Sequence, residues 1–154
     1  MKITDIKTIR LRAALSREGQ VISRSGVRKT RATTLVQVET DEGVSGIGSC
    51  SGNGELIEVI VAKIVKPLLI GMDPTAIDDI WDQAYVRGGH KEFGTRGIGV
   101  VALSGIDVAL WDILGKVRGV PLYQLLGGTC RDKVPVYATA LYPEDPARVA
   151  KKAR

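Results

Sequence analysis

Few residues in this sequence have types and spacings that chemistry uses, and each set also admits a plain structural role. Asp107 and Asp112 form a carboxylate pair inside an apolar stretch. On a helix, five residues turn the second about 140° from the first, so the two cannot share one proton or metal ion. Each is expected to hold its own buried hydrogen bond or ion pair, because an unpaired buried carboxylate is costly. Asp78 and Asp82 lie four apart on one face of an amphipathic helix and read as a solvated face. The single histidine, His90, belongs to no metal-like pattern such as His-Glu-x-x-His and reads as a loop residue bonded to solvent or backbone. The glycines at 43, 46 and 48 resemble a phosphate loop only superficially. They fall in the second half of a hairpin, whereas a dinucleotide loop joins a strand to a helix. One unsupported histidine makes no Ser/His/Asp set.

The elements around these residues are clearer. Residues 3–11 alternate imperfectly, with Ile3, Ile6, Ile9 and Leu11 apolar, and predict a half-buried strand. Residues 33–39 (TTLVQVE) are β-branched and alternating, turn through Thr40-Asp41-Glu42-Gly43 and return through 44–50, which predicts a hairpin. Between the first strand and this hairpin, residues 13–30 are polar, glycine-containing and without periodicity, as in a functional flap or a disordered insert. Asn53 is a predicted N-cap for a helix from Glu55, whose polar stripe at 55, 58, 63 and 66 runs until Pro67 and Gly71. Asp73-Pro74 predicts the start of a second helix reaching about Val86.

A third helix, about 95–117, is apolar around nearly its whole circumference and must be covered on several sides. Gly99, Ser104, Gly105 and Ala109 would let neighbouring backbone come close there. Gly119-Val120-Pro121 ends it, and a short apolar helix over 122–126 stops at Gly127-Gly128. Residues 133–139 (KVPVYAT) then read as a strand, with a helix start over 143–146. That is the opening of a βα unit, whose strand is buried only beside later parallel strands. The order of elements suggests a chain cut off just after a second domain begins.

Composition narrows the class. The 154 residues are 44% hydrophobic and 25% charged, which excludes general disorder. The longest uninterrupted apolar stretches fall well short of the ~20 residues of a membrane span. Residues 1–5 carry no signal-peptide pattern, so a cytoplasmic protein is expected. Cys50 and Cys130 are then expected as free thiols, with a disulfide the lesser alternative. The net charge of +5 is uneven: residues 1–40 hold nine Lys/Arg against three acids, and residues 13–30 hold four of those cations. No aromatic residue precedes Trp81, so base stacking is not on offer in this segment and nucleic-acid binding is not expected. A solvated surface or an anionic small-molecule partner remains.

The words ALSGIDVALWD (102–112), PLYQLLGG (121–128) and VYAT (136–139), in this order after a strand meander, resemble the mandelate racemase/muconate lactonizing enzyme group of the enolase superfamily. The resemblance covers almost the whole chain. It implies an α+β fold, with an enolase-like N-terminal capping domain over 1–128 and the first βα unit of a truncated (β/α)7β barrel over 129–154. It also implies Mg2+ held by three carboxylates at barrel strand ends, abstraction of a proton next to a carboxylate, and a capping domain that closes the site and selects the substrate. The expected metal ligands, the Lys-x-Lys base and the His–Asp dyad would all lie beyond residue 154, so no catalytic or metal residue is assigned here.

Substrate contact can be carried over. Residues 15–30 stand in the place of the family's specificity loop, and residues 50–54 in that of its second capping loop. Asn53 is assigned either to substrate or to helix capping. Arg24 and Arg28 are candidates for pairing with a substrate carboxylate, against the alternative of plain surface arginines. The expected parent protein is a homo-oligomeric, Mg2+-dependent acid-sugar (aldonate or aldarate) dehydratase. A racemase or lactone cycloisomerase is the alternative, as is a non-catalytic fragment that acts only by association.

Overall fold

The computed structural model describes residues 1–17, 19–23, 26–87, 93, 96–137, 146, 147 and 150. Its strands are β1 (Ile3–Ala14), β2 (Val21–Ser23), β3 (Gly26–Arg28), β4 (Thr30–Thr40) and β5 (Ser45–Cys50). One compact unit comprises Met1–Leu11 and Thr33–Gly128, and a second comprises Arg12–Ala32 and Thr129–Arg154.

The first unit is built on a three-stranded sheet in the order β1-β4-β5, the expected meander. β4 and β5 are antiparallel, from Thr34 opposite Cys50 to Glu39 opposite Ser45. The turn closes with the Gly43 amide on the Thr40 carbonyl at 3.2 Å, and Gly43 takes the positive φ of 77° that such a closure favours. The imperfect alternation of β1 has a structural cause. Ile3 and Ile6 are both buried although three apart, which an unbroken two-residue repeat does not allow. The Ile6 amide bonds Asp5 Oδ1 at 2.8 Å, and Ile3 pairs through its own amide and carbonyl with Met72 and Gly71.

Helical segments follow the sheet's last strand in quick order. α1 (Gly54–Ile60) runs through a π-helical stretch (Val61–Val65) into α2 (Lys66–Leu69), and buries Ile57, Val61, Val65 and Leu69, one residue per turn. The wide turn precedes Pro67, which offers no amide to the helix. α3 (Ile77–Trp81) starts later than expected. Asp73 Oδ1 takes the Thr75 amide and hydroxyl at 2.9 and 2.8 Å, so Asp73 caps a turn ahead of the helix. A second π-helical stretch (Asp82–Arg87) extends α3, with Trp81 and Tyr85 stacked at 5.1 Å.

The long helix α4 (Ile98–Arg118) lies on β5 and forms the centre of the core. By length and composition it could cross a membrane, contrary to the reading of short apolar stretches. Ser104 and the two aspartates interrupt the run of apolar residues, but they do not interrupt the helix. In this fold its apolar face is the core: Ala102, Leu103, Ile106, Ala109, Leu110 and Ile113 are buried with Val36 and Val38 of β4. The glycines of β5 decide how close the two elements come. A Cβ on Gly46 would strike the Ala109 carbonyl and stand 2.7 Å from Ile113 Cγ1. One on Gly48 would strike the Gly105 carbonyl, and one on Gly105 would strike Cys50 Sγ. Gly119, at φ 65° and ψ 27°, ends α4 by returning its amide to the last turn, and α5 (Leu122–Leu125) follows.

In the second unit, residues expected to lack regular structure form a hairpin. β2 and β3 pair antiparallel with Val21 opposite Arg28 and Ser23 opposite Gly26. Its strands are three residues each, too short for a sequence repeat to declare itself. The expected strand over 133–139 is not formed among the described residues 133–137, and Val136 and Tyr137 are 87% exposed. A parallel strand is stable only beside another strand, and among the described residues none pairs with this segment. The expected helix start over 143–146 falls mostly outside the described residues.

The Gly105–Cys50 contact is testable. Gly105→Ala is expected to cost about 1–3 kcal/mol by overpacking, and Cys50→Ala in the same chain should recover part of it. Urea unfolding of the two single variants and the double variant checks the coupling.

Candidate functional site

The loop after β5 is positioned from both sides. Asn53 closes it as the N-cap of α1, its Oδ1 accepting the amides of Glu55 at 3.0 Å and Leu56 at 3.3 Å. This assigns the capping role to its oxygen and fixes the side-chain rotamer, with Nδ2 unpartnered among the described residues and the residue exposed. Gly54 is pressed against β1 and β4, since a Cβ there would stand 2.6 Å from Thr34 Oγ1 and 3.1 Å from Arg10 Cδ. The Arg10 guanidinium reaches Glu55 at 3.1 Å and Glu58 at 3.3 Å, strapping the first turn of α1 to the sheet. Sequence reasoning missed Arg10; Glu55 and Glu58, three apart on one helix face, are the only local trace of it.

The other candidates belong to the second unit. Arg28 ends β3 and is exposed, and its side chain has no hydrogen-bond or ion-pair partner among the described residues. Arg24 lies outside the described residues, as does His90. Residues 12–32 hold six Arg/Lys against one Glu, so the excess charge of the chain is concentrated in and beside this hairpin. In the first unit five of the cations have carboxylate partners, whereas Lys2, Lys63, Arg96 and Arg118 have none among the described residues. Lys7 pairs with Glu39 at 2.7 Å, Lys66 with Asp5, and Arg87 with Asp82 at 2.7 Å. The Lys66 ammonium holds the Asp5 carboxyl below its ordinary range, and Glu39 holds Lys7 above its own.

Asp112 and Asp107 part company. Asp112 Oδ2 accepts the Ile47 amide at 2.9 Å and the Lys116 ammonium at 2.7 Å, the expected hydrogen bond and ion pair. Asp107 has neither among the described residues, which corrects the expectation for it. It is half-buried, and burial, then the Asp78 charge, push its carboxyl above the usual range. Cys50 and Cys130 are free, as expected, and burial raises the Cys50 thiol.

Magnesium takes oxygen ligands in near-octahedral geometry, several of them carboxylates. Among the described residues no three His, Cys, Asp or Glu side chains converge. The acids of the first unit mostly hold cations or amides. These residues do not fit a magnesium site.

The N-terminal domain of the mandelate racemase / muconate lactonizing enzyme family matches residues 5–127. The chain belongs to this family. A D-galactonate dehydratase family member of Marinomonas sp. is 46% identical over 112 residues, 71% of this chain and 27% of the relative. A D-mannonate dehydratase of Novosphingobium aromaticivorans is likewise 46% identical over 112 residues, with the same coverage. Among solved structures, an enolase superfamily member from Polaromonas sp. JS666 superposes with a TM-score of 0.82 at 35% identity, over 99% of this chain and 40% of that one. The 3,6-anhydro-D-galactonate cycloisomerase of Zobellia galactanivorans gives 0.81 at 29% identity, over 99% and 39%. The chain thus spans just over a quarter of the length of the curated relatives it matches, and the α+β capping fold expected for it is the one observed.

Asp107 makes a signed prediction. A carboxyl whose folded pKa is raised destabilises the fold once pH passes its unfolded value, and the penalty is complete above the folded value. Asp107→Asn should therefore raise stability at neutral pH, with the gain vanishing as pH falls below the ordinary carboxylate range. Thermal unfolding of both chains from pH 3 to pH 7 checks it.

Proposed function

We propose that this chain is the capping domain of an acid-sugar dehydratase. The reaction removes the proton next to the carboxylate of an aldonate or aldarate and expels the neighbouring hydroxyl as water, leaving an enol that becomes a 2-keto-3-deoxy acid. The observation that carries the reading is the 46% identity to relatives named for D-galactonate and D-mannonate. The unmatched positive charge of residues 12–32 supports it, because a polyhydroxy acid is an anion with many hydrogen-bonding groups. Arg24 and Arg28 would pair with the substrate carboxylate, and Asn53, its oxygen held by the helix cap, would donate from Nδ2 to a substrate hydroxyl. The cap closes the site and selects the substrate.

The magnesium ion of the family would be held by residues outside these 154, together with the acids and bases of the reaction. The whole enzyme would be a cytoplasmic homo-oligomer, and the 154-residue chain by itself inactive. A racemase or cycloisomerase on the same scaffold is the second reading, favoured by the likeness to the Zobellia cycloisomerase, which covers 99% of this chain at 29% identity.

Screening the full-length protein against aldonates and aldarates, with detection of the keto acid, decides between them. Turnover of an acid sugar with loss of water is expected; turnover only of aromatic or lactone substrates would overturn the dehydratase reading. In that enzyme Arg28→Met is expected to raise KM about tenfold, the scale of one charge-assisted hydrogen bond, with little change in melting temperature because Arg28 is exposed. Asn53→Ala should both raise KM and cost about 1 kcal/mol of stability through the lost cap. Asn53→Asp should retain the cap while weakening the binding of an anion.

A further inference from the structure

The free edge of β5 lacks the features that usually keep a sheet edge from pairing. β5 is the outermost strand in the order β1-β4-β5, and its sequence, SGIGSC, has no charge and no proline. The Ile47 amide is turned away from β4, onto Asp112. In an antiparallel pair the backbone groups of alternate residues face outward together, so those of Ser45, Ile47 and Ser49 line this edge. Ile47 is 47% exposed and Ser49 is exposed.

Two side chains of α4 lie across it. Asp112 Oδ2 accepts the Ile47 amide at 2.9 Å, and Lys116 Nζ donates to the Ser45 carbonyl at 2.7 Å. The same ammonium donates to Asp112 Oδ2 at 2.7 Å. One turn of helix thus takes a donor and an acceptor from successive outward residues and sets an ion pair where an incoming strand's backbone would lie.

We propose that Asp112 and Lys116 guard the β5 edge against strand addition by a second copy of this chain. The second copy is the natural occupant because this edge is self-complementary. Two antiparallel β5 strands bring no like charges together and no bulky side chain other than Ile47. On this edge the charge is supplied by the helix.

Amide hydrogen exchange on the 154-residue chain tests this without any substitution. The Ile47 amide is expected to be protected and the Ser49 amide, on the same edge, to exchange freely; equal exchange would overturn the proposal. Asp112→Ala should speed Ile47 exchange roughly ten- to a hundredfold, the scale of a lost charge-assisted bond. It should also make the mass measured by sedimentation rise with protein concentration. Adding Ile47→Lys, which puts a charge on the strand itself, should return the mass to that of the unaltered chain. An unchanged mass for a folded Asp112→Ala chain, or a rise that Ile47→Lys leaves in place, would overturn the proposal. Should Asp112→Ala not fold, Lys116→Met opens the Ser45 carbonyl alone, and the same mass comparison applies to it.

Discussion

The contact of α4 with the backbone of β5 is the constraint from which the rest of the first unit follows. Three missing side chains make it: at Gly46 and Gly48 on the strand and Gly105 on the helix, a Cβ would overlap a carbonyl or a sulfur. Close packing of this kind gains dispersion contacts on both sides of the interface and leaves no void to fill. Glycine inside a helix or strand costs roughly 1 kcal/mol relative to alanine, so the contact has to return more than that at each position. It also sets where other groups end up. Asp112 and Lys116 reach the edge of β5 only because the helix lies against it. The loop carrying Asn53 leaves β5 at Cys50, whose sulfur faces Gly105, and the other side of that loop is held by Thr34 and Arg10.

Much of this was legible in the sequence, and what was missed shares a physical reason. The TTLVQVE strand, the Gly43 turn, the Asn53 cap and the Gly119 stop are signals local to a few residues, and all of them hold. The third helix was legible as a helix needing close neighbours. The glycines of 43–48 were dismissed as a phosphate loop on correct grounds of context. The true use of Gly46 and Gly48, admitting a helix, depends on partners some sixty residues away that no local pattern announces. Asp107 and Asp112 look alike in sequence, yet one finds an amide and an ammonium and the other finds neither. That difference depends on which face of α4 meets β5. The hairpin of β2 and β3 and the unformed strand at 133–137 err in opposite directions for one reason: strand formation is decided by a partner, and a run of residues does not carry its partner with it.

The candidate site divides along the same line as the energetics. In the first unit, Lys7, Lys66, Arg10 and Lys116 each have a carboxylate partner that helps hold the fold. In residues 12–32 six cations face a single acid, and the described residues 26–29 are all exposed. Burial contributes little to a segment of that kind, and like charges along a short hairpin repel one another, so its folded form sits at the low end of local stability. An anion bound there, as the proposed function has it, would relieve the repulsion. Asn53 works from the opposite condition, since its rotamer is already fixed by two amides and it offers a donor at no further entropic cost. On the proposed function, attraction to an anion would fall to Arg24 and Arg28, and discrimination among anions to Asn53.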